Sequence, residues 1–93
     1  MRAEPYWLQL YVAGNTEQSL RSLRNIRRIC ESKLSKDYLL EIFDLYQQPE
    51  LASRVQVIAA QTLIKLFPLP VRRLVGDMTN TDKILSSLGL ATG

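Results

Sequence analysis

The stretch Ile58–Asp77, IAAQTLIKLFPLPVRRLVGD, decides the fold. It holds two short apolar runs, Gln61 to Phe67 and Val71 to Val75, joined by Pro68-Leu69-Pro70. Two β-compatible runs with a short proline-bearing link read as an antiparallel hairpin. Proline lacks an N–H and has a fixed φ, so it belongs in the turn or at a strand end rather than in mid-ladder. Lys65, Arg72 and Arg73 make the element from Gln61 to Val75 basic, with no acidic residue to offset them. An acidic partner surface is what such a hairpin can meet.

Outward from the hairpin, Gln47-Gln48-Pro49-Glu50 is a helix-entry signal with Pro49 near the first helical position. It predicts a short helix through about Ala59, although Val55, Val57 and Ile58 also permit strand. Tyr38 to Leu45, YLLEIFDL, reads as a strand, and so does Tyr6 to Ala13, YWLQLYVA. The latter has apolar residues on both faces, which suits a central strand covered on two sides. Between these strands Thr16 is a good N-cap, and Glu17 complements the helix dipole. Leu20, Leu23, Ile26, Cys30 and Leu34 then recur at helical spacing, giving an amphipathic helix to about Leu34 with Arg21, Arg24, Arg27 and Arg28 on its polar side. That helix is long enough for a parallel crossover. After Gly76-Asp77, Thr79 or Asn80 can cap a last helix through about Leu90. The order βαβαββα is an α/β sheet with helices on both faces, the thioredoxin-like arrangement.

The composition narrows the chemistry. The 93 residues, 46% of them hydrophobic, suit one folded domain spanning residues 1–93. The net charge of +3 is mild and does not demand nucleic acid. No apolar run reaches membrane-spanning length, and the first residues lack the apolar core of a signal peptide, so a cytoplasmic protein that does not engage a membrane is expected. With no histidine and one cysteine, neither an internal disulfide nor a zinc site is expected. No dithiol follows the first strand, where Ala13-Gly14-Asn15-Thr16 stands instead, and Cys30 on the apolar side of the helix reads as packing. No nucleophile set or phosphate loop is present. The sequence thus predicts neither an enzyme nor a cofactor. Tyr6, Trp7 and Tyr11 could form a base-stacking platform, but with helices over both faces they read as packing residues.

Three segments in register resemble one family. Leu10-Tyr11-Val12-Ala13-Gly14-Asn15-Thr16, the Asp44 to Ala52 segment, and Pro68 to Met78 are similar to the signatures of the KaiB family of circadian clock proteins, and the likeness runs from about Tyr6 to Leu90. The resemblance implies a partner-binding clock component that binds the ATPase KaiC, sequesters KaiA and competes with the kinase SasA. It also implies a metamorphic protein. A thioredoxin-like monomer binds KaiC, and a ground-state fold forms a tetramer; the two differ in the second half of the chain.

Departures from the family pattern lie in that half. Gln61 stands where the family has proline, so a trans bond is expected there, since a non-proline cis bond costs about 2.5–4 kcal/mol. Leu69 interrupts the family's triple proline. Ser87 replaces a glycine, which favours helix by a few tenths of a kcal/mol, whereas Gly89 opposes helix unless it caps the C-terminus. These four positions are expected to set the balance of fold states toward the thioredoxin-like monomer, the tetrameric ground-state fold being the alternative. By resemblance Arg21 joins Lys65, Arg72 and Arg73 as partner-binding residues; a solvated face is the other reading of the helix arginines, and a solvated strand edge that of the hairpin cations. Glu41 and Leu39 stand where the family has lysine and alanine, on the edge that faces KaiA. The expected function is an adaptor for a KaiC-type ATPase; the alternative is a KaiB-like module serving a non-clock kinase or a stress-response partner.

Overall fold

A computed structural model describes residues 5–14, 16–34, 37–50, 61–76 and 78–90. Its order is β1 (Tyr6–Val12), α1 (Glu17–Lys33), β2 (Tyr38–Asp44), β3 (Thr62–Phe67), β4 (Arg72–Val75) and α2 (Thr81–Ser87). The helix expected through about Ala59 falls outside the described residues, as does the peptide bond before Gln61.

The sheet order is β2-β1-β3-β4. β1 pairs parallel with β2, and the hairpin's first strand, β3, pairs antiparallel with both β1 and β4. β1 is therefore central, as its two apolar faces require. The pleat sends Leu8, Leu10 and Val12 into the main core with Leu63 of β3, where α1 contributes Ile26, Ile29 and Cys30 and α2 contributes Ile84 and Leu85. On the other face Tyr11 and Ile64 join Leu45 in a smaller cluster, and the Tyr11 ring stacks on Phe43 at 5.1 Å.

The helix boundaries follow from capping. The Thr16 side chain accepts from the Ser19 N–H at 3.1 Å, closing the first turn of α1. α1 is tied to the β4–α2 connection by Asn25, whose Nδ2 donates to the Met78 carbonyl at 2.6 Å. Asn80 caps α2 in the same manner as Thr16 caps α1. α2 stops at Ser87 rather than Leu90 because Gly89 has a φ of +77°. The Leu90 N–H reaches back to the Leu85 carbonyl at 2.8 Å and the Gly89 N–H to the Ser86 carbonyl at 3.1 Å. This is a Schellman stop, so Gly89 ends the helix favourably rather than opposing it.

Cys30 is fully buried against this core, and burial, with a smaller push from Glu31, raises its thiol pKa from 9.0 to about 11. The folded state holds this proton more tightly than the unfolded state. The resulting stability is fully present below pH 9 and is lost as pH rises through about 11. The loss is expected to be about 2–3 kcal/mol. Urea unfolding of wild type and Cys30→Val between neutral pH and the alkaline limit tests this, the wild type losing more stability than the variant. Tyr38, whose pKa is raised first by burial and then by the neighbouring Cys30 charge, loses the second contribution in Cys30→Val, which adds to the difference in the same direction.

Candidate functional site

The four predicted partner-binding residues do not form one cluster. Lys65 and Arg72 are opposed across the β3–β4 ladder, so they share the sheet face that carries Leu63. Arg73 is opposed to Ile64 and belongs to the other face. Arg72 and Arg73 are exposed, as expected of a short edge strand. Arg21 is exposed on α1, with its guanidinium 3.5 Å from Glu17, a solvated pair worth little to stability. The start of α1 lies by the start of β3, where Gln61 Nε2 donates to Ser19 Oγ at 3.4 Å. Lys65 lies four residues further along β3, about 13 Å away.

The solvated-edge reading of Lys65 is corrected. β3 is an interior strand, and Lys65 is only 5% exposed. Its stem runs along the sheet toward the C-terminal end of α2, and Nζ lies 3.9 Å from where a Cβ on Gly89 would stand. Gly89 is exposed, so the ammonium reaches the rim while the methylenes are covered. Burial, and secondarily Arg72, lowers its pKa from the ordinary lysine value. Reversing its charge would therefore perturb folding as well as binding.

The four positions expected to set the fold state are placed as follows. Gln61 is buried, and its carbonyl accepts from the Gly76 N–H at 2.8 Å. Leu69 is 70% exposed in the hairpin turn, between cis bonds at Phe67–Pro68 and Leu69–Pro70. Ser87 ends α2 with its hydroxyl donating to the Lys83 carbonyl at 2.9 Å, and Gly89 is the helix stop.

Two features escaped sequence reasoning. The Asp44 carboxylate accepts from the Gly14 and Tyr46 N–H groups, beside a cavity of about 280 Å³ lined by Val12, Ser19, Leu20, Leu23 and Ile42. Trp7, read as packing, is 43% exposed, and its indole N–H donates to Glu41 Oε1 at 2.7 Å. An aspartate ending one strand opposite the glycine turn after its neighbour was the available signal for the first. For the second it was Trp7 and Glu41 on two strands expected to pair.

Solved structures share this fold. The N-terminal domain of Synechococcus elongatus SasA superposes with a TM-score of 0.76 at 22% identity, covering 95% of this chain and 83% of that one. Chloroplastic thioredoxin z superposes with a TM-score of 0.69 at 12% identity, covering 92% and 80%. Both likenesses establish a thioredoxin-like fold. A KaiB domain model matches residues 9–90. The circadian clock oscillator protein KaiB of Prochlorococcus marinus strain MIT 9312 is 44% identical over 85 residues, 91% of this chain and 81% of that protein. The protein of the same name from Synechococcus elongatus is 42% identical over 88 residues, 95% and 86% of the two chains. With a domain match across most of its length and relatives of this similarity, the chain belongs to the KaiB family.

Proposed function

We propose that this protein is a non-enzymatic clock or signalling adaptor of the cytoplasm, a single domain that binds a KaiC-type ATPase as a thioredoxin-like monomer. The observation that carries the reading is the exposed basic strand β4 on a chain 44% identical to a clock oscillator protein. Arg72 and Arg73 point to opposite faces of an edge strand, so they can grip an acidic surface from both sides of the sheet rim. Arg21 adds a second, separate contact on α1. Steering by these charges would raise the encounter rate, with docking of the hairpin following. Lys65 acts as an anchor at the rim rather than as a steering charge. KaiA and a SasA-type kinase are further partners in this reading.

The thioredoxin-like state is the binding state in this proposal. Ser87 within α2 and Gly89 in the Schellman stop both favour the helical form of the last segment. Gln61 and Leu69 fall at the entry and turn of the hairpin, where they set its balance between states.

The test is Arg72→Glu with Arg73→Glu, which leaves the buried lysine in place. Affinity for a KaiC-type hexamer, read by fluorescence anisotropy, is expected to fall by about 10–100-fold, as for charged contacts at a docking rim. Unfolding free energy is expected to change by no more than about 0.5 kcal/mol. Unchanged affinity in a folded double variant would remove the hairpin from the interface.

A further inference from the structure

Lys65 and Arg72 are two neighbouring cations without a counter-charge. They are opposed across the β3–β4 ladder, so their side chains leave the same sheet face roughly 5 Å apart. Lys65 is only 5% exposed, yet neither residue makes a hydrogen bond or an ion pair among the described residues. A cation with this little water ordinarily has a partner, because burial disfavours the charged form. The neighbouring end of α2 does not supply one. Its last turn, Ile84 to Ser87, carries no charged side chain. The Leu85 and Ser86 carbonyls accept from the N–H groups of Leu90 and Gly89, and the Leu88 carbonyl accepts from the Tyr6 hydroxyl at 3.0 Å. Nor does the hairpin supply one, since no acidic residue lies between Gln61 and Val75.

We propose that Lys65 and Arg72 form a binding site for a doubly charged oxyanion, a phosphoryl group, at the rim where β3 and β4 meet the end of α2. Two cations match a dianion, whereas a single carboxylate leaves one of them unanswered. The planar guanidinium of Arg72, exposed on the edge strand, suits a two-point contact with phosphate oxygens. The Lys65 ammonium adds a third donor from a side chain whose stem is held by packing, so little freedom is lost on binding. Gly89 keeps the approach open. It is exposed, and a Cβ there would stand 3.9 Å from Nζ, on the way from solvent to the ammonium. Burial, and then the charge of Arg72, lowers the Lys65 pKa, which an anion between the two side chains would offset. Arg73 takes no part, because it is opposed to Ile64 and belongs to the other face.

The test uses isotope-labelled protein without a partner, titrated with sodium phosphate at about pH 8, where phosphate is chiefly the dianion. Sodium chloride holds the ionic strength constant. The Arg72 Nε–H and the Lys65 and Gly89 amides are expected to shift together and to saturate, with half-saturation at about 1–5 mM. Sulfate is expected to bind similarly, and acetate at least about tenfold more weakly. Arg72→Gln and Lys65→Met are each expected to weaken phosphate binding at least about fivefold, with the other shifts as in wild type. If Lys65→Met does not fold, Arg72→Gln decides alone. Arg73→Gln is expected to bind phosphate within about twofold of wild type while weakening the docking proposed for the hairpin. Loss of either activity therefore leaves the other separately readable. A capped Gly-phosphoserine-Gly peptide distinguishes the source. Binding as tight as phosphate means that the site accepts a phosphoryl group carried on a partner, and weaker binding means that free phosphate is the occupant. Acetate binding as well as phosphate, shifts that do not saturate or that spread equally to the α1 arginines, or full affinity in Arg72→Gln would overturn the proposal.

Discussion

Replacing Leu10 by alanine is expected to lower the unfolding free energy by about 3–4 kcal/mol. Leu10 is fully buried on the central strand, opposed to Ile42 on one side and Leu63 on the other. Its side chain faces the cluster in which α1 and α2 meet the sheet. Sheet backbone on both flanks limits collapse around a lost isobutyl group, so a cavity is added to the lost transfer energy. For a domain of this size that is a large part of a total of about 5–15 kcal/mol. Leu39→Ala provides the contrast. It removes the same atoms from the neighbouring strand, but Leu39 is 55% exposed, and the change is expected to stay within about 0.5 kcal/mol. Urea unfolding of both variants tests the pair, and the slope with denaturant should match wild type if only packing has changed. A small loss for Leu10→Ala would mean that the two helices do not close over β1 as described.

The same burial pattern explains what could be read from residues alone. β1, α1 and β2 were legible because each signal was local: apolar residues on both faces of Tyr6–Val12, a threonine cap, and a helical repeat from Leu20. The hairpin was legible because its two prolines can occupy only the link. The position of β3 within the sheet was not. Nothing in TLIKLF states that β1 flanks it on the side away from β4, and this pairing puts Lys65 inside rather than on an edge. The end of α2 depended on whether Gly89 would be a weak helix residue or a left-handed stop, and the bond from Leu90 N–H to the Leu85 carbonyl decides for the stop. The candidate site divided in the same way. Arg72 and Arg73 are exposed as a short basic edge strand predicts, whereas the separation of Arg21 from Lys65 follows from where α1 crosses the sheet. The indole N–H of Trp7 is bonded to a partner in another strand, Glu41, and no periodicity within β1 contains that contact.

Asp44→Ala is expected to cost about 2–3 kcal/mol and to loosen the turn that leads into α1. One oxygen, Oδ1, accepts from the Gly14 N–H at 3.0 Å and from the Tyr46 N–H at 2.9 Å. It thereby joins the turn after β1 to the turn after β2. Bonds to a charged acceptor are worth more than neutral ones, about 1.5–3 kcal/mol each. Tyr46 is exposed, so water replaces the carboxylate at its N–H; Gly14 is buried, and its N–H is left without that compensation. The Tyr46 ring packs directly on Gly14, so close that an added Cβ would come within 2.8 Å of Cδ2, and this contact limits how far the turn can move to find another acceptor. Asp44→Asn keeps an acceptor oxygen and loses only the charge, so it is expected to cost about 1 kcal/mol. Amide exchange gives the site-specific reading: Gly14 is expected to exchange faster in the alanine variant, and Leu45, whose N–H bonds the Val12 carbonyl, is expected to keep its protection. The consequence for binding is conditional on the same turn. Arg21 begins the second turn of α1, so a loosened Gly14 junction should weaken an Arg21 contact while leaving the hairpin arginines in place. If Asp44→Ala instead costs under about 0.5 kcal/mol, the junction is held by the Tyr46 ring against Gly14, and Tyr46→Ala should then carry the loss.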